Sequence, residues 1–397
     1  MRDILVKRRR IGGKQMKALG HGANVAEMAT QYGKCIEEVI DFSSNINPFV
    51  SKIVKEALPS VLEAARNYPD IHYTALRTEI AAYLDCEKDQ VIVGNGATEI
   101  MYLLMKSLCY LKAKEHAIHA TIGLKDKQVE NDTRTMTLGI VHPTFSEYER
   151  SARLNGMEII DLYLDGEKNF ALDEQGIEEK LPQMEALFIC NPNNPTGNVH
   201  DLRRLIERMK AQDKWLIVDE TFMEFIEDEA SYSVVPFIKN YNKLIVIKAI
   251  TKFFGLPGLR LGYGVTSNEM LLEAMYHYKE PWTVNSFAEQ LTGPLLRDTV
   301  YQRESKAYFK KERGRMLEAL STIEGVKVYP AATNFVLLRL ENMTGKELRE
   351  RLFKEEGILI RDASNFKGLD AHFIRVAIKA PHENERLLAV LKKQLSK

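Results

Sequence analysis

From about residue 90 the chain alternates short, continuously apolar runs with amphipathic stretches. VIVG (91–94), the IVH run near 140, ALFIC (186–190), WLIVDE (215–220) and KLIVIK (243–248) are rich in β-branched residues, whereas segments such as DLRRLIERMKAQ carry apolar residues at helical spacing. Runs that are apolar at every position suit strands covered on both faces. The alternation of such strands with helices predicts an α/β fold, a mainly parallel central sheet with helices on both faces. After Gly262 the character changes. Longer helical patterns, SFAEQLTGPLLRD and roughly 299–323, lead to NFVLLRL, ILIRD, HFIRVAI and a last helix near 382–395. This reads as a smaller C-terminal α+β domain whose strands turn polar residues outward on one side. The expected organisation is an N-terminal segment over 1–48, a large α/β domain over 49–290 and the small domain over 291–397. The polar stretch KAKEHAIHATIGLKDKQVENDTRTM exceeds an ordinary helix-to-strand connection and reads as a surface excursion.

Composition narrows the partners. With 55 basic and 55 acidic residues in 397, no overall field favours nucleic acid, and small molecules or a second copy of the chain are the expected partners. The basic start MRDILVKRRR has no apolar stretch of signal-peptide length after it, and no apolar run reaches membrane-spanning length, so a cytoplasmic protein is expected. Cys35, Cys86, Cys109 and Cys190 lack ligand or redox spacing and read as small core residues. His116, His119 and His142 show no ligand pattern, so no metal is expected.

Candidate chemistry lies where apolar strands run out. Lys252 sits between a β-branched strand and a Gly/Pro loop ending at Arg260, a spacing that lets an amine hold an aldehyde while a guanidinium holds its phosphate. In VIVGNGATEIMYLL a glycine turn leads into a helix whose start, Ala97 and Thr98, offers unpaired N–H groups to a phosphate. Phe145 in HPTFSEY could stack on a flat ring, NPNNPTG makes a rigid polar loop containing Asn194, and Asp219 ends the strand WLIVD. Taken singly, each has an ordinary explanation as a turn, a cap or a core residue.

Together, in the chain order glycine turn, aromatic, NPNNPTG, strand-end Asp219 and TKFFGLPGLR, the five segments resemble the fold type I pyridoxal-phosphate enzymes of the class I/II aminotransferase superfamily, over nearly the whole chain. The resemblance implies a pyridoxal 5'-phosphate cofactor carried covalently by Lys252. It further implies that Asp219 pairs with the ring nitrogen, Asn194 bonds the phenolic oxygen and Phe145 stacks on the ring. The phosphate would lie on the Ala97 and Thr98 amides with Thr251 and Arg260. Tyr68, in RNYPD, would reach the cofactor of a neighbouring subunit, so a homodimer with shared sites is expected. Ala249 departs from the Ser or Thr common in relatives, which predicts one phosphate hydroxyl fewer.

Within that superfamily HGANVAEMATQYG, DFSSNINPF, NYPDIHYTALR, HPTFSEYER and GILIRDASNFKGL resemble the threonine-phosphate decarboxylases of cobalamin biosynthesis. That implies loss of CO2 from an O-phospho-amino acid. Arg375 would hold the α-carboxylate, Arg361 the substrate phosphate, His21 and the Gly22 amide would add phosphate contacts, and Asn45 to Asn47 would close over the carboxylate. Histidinol-phosphate aminotransferases share the same cofactor residues and are the nearest alternative, although Phe222 replaces a tyrosine common to them. A third possibility, an effector-binding domain of a transcription regulator, needs a DNA-binding module for which the about 20 residues before HGAN leave no room.

Overall fold

The computed structural model describes residues 25–121 and 135–395. Its centre is a seven-stranded sheet in the order Val91–Gly94, Gly262–Val265, Leu244–Ala249, Trp215–Asp219, Ala186–Cys190, Thr137–His142 and Glu158–Tyr163. Only Gly262–Val265 runs antiparallel to its neighbours. The strand alternation divides the core in two. Ile217, Ile245, Ile247 and Phe188 face one layer of helices, and Leu216, Val218, Val246 and Leu187 face the other. Each such side chain contributes on the order of 1.5–3 kcal/mol when fully buried.

The predicted large-domain strands are present, and the sheet also contains two that periodicity did not reveal. Glu158–Tyr163 is a half-buried edge strand, and Gly262–Val265 carries two glycines that weaken its strand pattern. Gly262 is required there, because a Cβ would lie 2.1 Å from the Ala97 amide nitrogen. The strand can therefore press against the start of the helix Gly96–Thr121.

A four-stranded antiparallel sheet follows, ordered Arg361–Asp362, Phe373–Ala377, Phe335–Leu340 and Val326–Val328. ILIRD is split: Ile358–Leu359 pairs in parallel with Ile40–Asp41, and only Arg361–Asp362 joins the four-stranded sheet. The expected outward polar face is reduced, on the central strands, to Arg339, whose side chain is 39% exposed. All of Phe373–Ala377 is buried, Arg375 included, because this sheet is covered on both sides. Residues 40–47 are sewn into the same region: the Ala377 amide donates to the Phe42 carbonyl, and Asn47 reaches Tyr301 and Ser305 on the helix Thr299–Ser321.

Two other expectations change. The first part of the polar excursion is helical, since the helix from Gly96 continues to Thr121. Of the cysteines only Cys190 is buried; Cys35 is exposed and Cys86 and Cys109 are half-buried. Among the described residues no helix is long and apolar enough to cross a membrane.

Candidate active site

A cavity of about 380 Å³ opens at the carboxyl ends of the parallel strands. Every parallel strand that ends there delivers a residue. Gly94 leads to Ala97 and Thr98, His142 to Phe145, Cys190 to Asn194, and Ala249 to Thr251 and Lys252, while Asp219 is itself a strand end; all of these line the cavity. Ser43, Ser44 and Asn45 close one side, and Arg361, Asn365, Phe366 and Arg375 come from the small sheet and its loop. Such a crevice is where open α/β sheets bind ligands.

One end is built for an anion. Gly96 has φ +80°, and Arg260, itself at φ +55°, sets Nη2 only 2.5 Å from where a Gly96 Cβ would stand. The guanidinium therefore lies against the first turn of a 26-residue helix, beside its free amides. Thr251 is buried at the same cavity, and so is Ala249, whose methyl stands where a hydroxyl was expected to be lost.

The middle of the cavity combines aromatic rings with a buried carboxylate. Asp219 accepts hydrogen bonds from the Thr221 amide at 2.8 Å and from the Tyr148 hydroxyl at 2.8 Å. Burial still raises its pKa, the donors working against that shift. Tyr148 escaped notice in the sequence although it stands one helical step after Phe145. Its ring packs edge-on against Phe145 at 5.7 Å and stacks on Phe188 at 4.0 Å. Of the loop asparagines, Asn191 and Asn193 brace the turn through His200, Pro143 and Thr196. Asn194 is the one that faces the cavity. Lys252 is half-buried, and its pKa falls to about 8, first through burial and then through Arg375 and Arg260.

The far end carries two arginines. Arg375 donates from Nη1 to Asn194 Oδ1 and from Nη2 to the Ser43 carbonyl at 2.7 Å. Arg361 is its direct partner across the antiparallel strands and donates to Asn365 Oδ1 at 2.7 Å. Asn45 lines the cavity with its Oδ1 buried. Phe222 also lines it, packed edge-on against Phe335 at 5.1 Å.

Two expected residues stand apart, and two lie outside the described residues. Asn47 is not in the cavity; its amide donates to the Phe253 carbonyl at 2.8 Å and to Tyr301 at 2.9 Å, anchoring the backbone. Tyr68 is 82% exposed, away from the cavity, with its ring 5.0 Å from Trp282. His21 and Gly22 lie outside the described residues. Ser43, Tyr148, Thr221, Asn365 and Phe366 belong to the site and were not singled out from sequence. The only prior signal for them was adjacency to DFSS, HPTF, VDE and ILIRD.

The chain matches the model of the family "Aminotransferase class I and II" over residues 37–121 and 137–393. A relative in Caldanaerobacter subterraneus subsp. tengcongensis, named provisionally as a threonine-phosphate decarboxylase, is 37% identical over 384 residues, 96% of this chain and 95% of its own. The threonine-phosphate decarboxylase of Salmonella typhimurium is 34% identical over 380 residues, 95% and 96% of the two chains. Among solved structures, the histidinol-phosphate aminotransferase of Clostridium acetobutylicum superposes with a TM-score of 0.79 at 35% identity, covering 90% of this chain and 99% of that one. With the family model and these relatives spanning nearly its whole length, the chain belongs to the aminotransferase class I and II family of enzymes.

Proposed function

We propose that the chain is a pyridoxal-phosphate-dependent decarboxylase that converts an O-phospho-amino acid, L-threonine O-3-phosphate or L-serine O-phosphate, to an amino-alcohol phosphate and CO2. The reaction is the one its decarboxylase relatives are named for, and the motif resemblance implies a place for it in cobalamin biosynthesis. The observation that carries the reading is the direct cross-strand pairing of Arg361 with Arg375 at the cavity. Like charges placed directly opposite in an antiparallel pair are unfavourable. Burial, followed by Arg361, acts against the Arg375 charge. A guanidinium keeps its proton nonetheless. A substrate with two anionic groups, a carboxylate and a phosphate, removes that cost and uses both forks.

The residues present fit the cofactor. The helix start with Arg260 and Thr251 suits its phosphate, and the enclosed Asp219 suits a protonated ring nitrogen. Asn45 Oδ1 and Arg375 Nε are buried at the cavity without a hydrogen-bond partner among the described residues, as expected of a site that a polar ligand completes. When bound, pyridoxal phosphate supplies an electron sink for the substrate Cα bond that stands perpendicular to its ring. Asp219 keeps the proton on the ring nitrogen, and Phe145 covers the ring face. Asn194, its Oδ1 engaged by Arg375, has its Nδ2 left to donate to the phenolic oxygen. Arg375 and Arg361 orient the substrate so that its carboxylate bond is the one presented. Lys252, with a pKa of about 8, releases and accepts a proton near neutrality and is placed to return one to Cα.

Purified protein with pyridoxal phosphate is expected to release CO2 from O-phosphothreonine or O-phosphoserine without a keto acid. Turnover only of histidinol phosphate with 2-oxoglutarate would falsify this reading in favour of the aminotransferase, which the 35% identity to a solved aminotransferase favours. The exposed Tyr68–Trp282 pair supports a site shared with a second copy. Mixing an inactive Lys252 variant with an inactive Tyr68 variant should then restore activity; absence of recovery counts against sharing.

A further inference from the structure

Beside the cavity, three elements of the large sheet bring charge together. His142 ends its strand, Asp161 lies on the adjacent strand Glu158–Tyr163, and Glu149 lies on the helix Glu147–Leu154. Among the described residues these form the group whose possible ligand atoms lie within 4.8 Å of one another. It already contains a cation. Lys367, from the loop after Arg361, sets Nζ 2.8 Å from Asp161 and 3.1 Å from Glu149 Oε2. The His142 ring lies 3.0 Å from Asp161 Oδ1 through Nε2. Burial, with Asp161 pulling the other way, lowers the His142 pKa, so the neutral ring donates and the lysine is the cation that the carboxylates hold. Burial opposes the charges of Lys367, Asp161 and Glu149, yet their partners outweigh it: Asp161 and Glu149 hold the lysine pKa above its ordinary value, Lys367 and His142 hold Asp161 below its own, and Arg153, 2.7 Å away, together with Lys367 does the same for Glu149.

The contact joins positions 206 and 218 residues apart, and what it ties down is the arm that lines the substrate end of the cavity. Arg361, Asn365 and Phe366 all face that cavity, and Lys367 follows directly. The Arg361 guanidinium lies 5.2 Å from the centre of the Phe366 ring and is bonded to Asn365, so the three side chains are held against one another. Gly368, at φ +91°, lets the chain turn tightly against Tyr163, whose ring carbon lies 3.0 Å from where a Cβ would be. The small-sheet arm is thus clamped to the edge of the large sheet, next to the turn that carries Phe145.

We infer that Lys367 is a positioning residue whose clamp on Asp161 and Glu149 holds the Arg361–Phe366 arm over the cavity and thereby sets affinity for the phosphorylated substrate. This rests on the proposed reading of Arg361 as the phosphate ligand. The clamp itself is testable without it. In the holoenzyme, Lys367→Met should raise the KM for O-phosphothreonine about tenfold with kcat within about threefold, a loss of binding common to ground and transition states. Cofactor absorbance should be unchanged. Chymotryptic cleavage after Phe366, which is only 7% exposed, should become about tenfold faster. Lys367→Arg should restore both readouts to within about threefold of the parent, since a guanidinium can bridge the same carboxylates. Unchanged KM, or unchanged cleavage, overturns the inference, as does failure of arginine to rescue. If no phospho-amino acid is turned over, the substrate reading fails alone, and cleavage with the arginine rescue still decides the clamp.

Discussion

Lys248 and Lys252 stand four positions apart at the end of one strand, and their surroundings drive them in opposite directions. Lys248 is on the face that also carries Leu244 and Val246, is fully buried, and lies 3.3, 3.1 and 3.4 Å from Glu220, Glu224 and Glu229. Burial works against its charge, but Glu224, Glu220 and Glu229 outweigh burial and hold its pKa well above the usual range. Lys252 opens on the cavity, where burial, Arg375 and Arg260 all lower it, to about 8, against Asp219. The same side chain becomes a permanent cation in one place and a proton exchanger in the other. The neighbours' charges make the difference, because both sites pay a desolvation cost. Lys248 lies in a cage of carboxylates and does not line the cavity, whereas Lys252 does.

The largest expected effect is at Lys252. Lys252→Ala should abolish the absorbance of lysine-bound cofactor and reduce CO2 release by at least about a thousandfold, while thermal unfolding changes little. Retained absorbance would erase the contrast between the two lysines. Lys248→Met should do the reverse, lowering stability by about 3–5 kcal/mol in urea because the buried Glu220 and Glu224 lose their cation, while the half-buried Glu229 keeps Lys306 at 3.0 Å. The sign with pH follows from the carboxyls: burial raises Glu220 and Glu224, the latter to about 7. A carboxyl whose folded pKa is raised costs nothing while protonated in both states and becomes a penalty as pH rises, so the variant should be weaker at pH 8 than at pH 6. Equal loss at both pH values would contradict the cage.

A smaller effect separates the lysines kinetically. Cofactor capture by the apoprotein requires neutral Lys252, so its rate should rise about tenfold from pH 7 to pH 9 with a midpoint near its pKa of about 8. A rate still climbing steeply above pH 10 would place Lys252 at an ordinary lysine value. Smallest is Ala249→Ser, between the two. A hydroxyl returned to the cavity wall is expected to tighten cofactor binding by about 0.5–1.5 kcal/mol, read as a lower Kd. A weaker Kd would indicate overpacking instead.

Most of the large-sheet strands could be read from the chain because fully covered strands leave runs such as ALFIC and WLIVD that are apolar at every position. The weak strands were lost for opposite reasons: glycines in Gly262–Val265 and surface polarity in Glu158–Tyr163 both dilute the signal. The cavity-lining residues Ala97, Thr98, Phe145, Asn194, Asp219, Thr251, Lys252 and Arg260 were legible as a group since each sits in or directly after the turn that ends or begins an element. Asn47 misled for a related reason. Its motif lies beside the cavity, but the side chain turns to the Phe253 carbonyl and Tyr301.

By itself, then, the sequence determined which elements form and which end of each carries polar chemistry, because periodicity and turn residues act over a few positions. Only the tertiary structure decided what those ends meet. Arg361 faces Arg375 through strand register, Tyr148 reaches Asp219 across 71 positions, and Lys367 finds Asp161 across 206. The opposite fates of Lys248 and Lys252 belong to the same level. A side chain's charge state depends on solvent exclusion and on neighbours within a few ångströms, and packing brings those neighbours from distant parts of the chain.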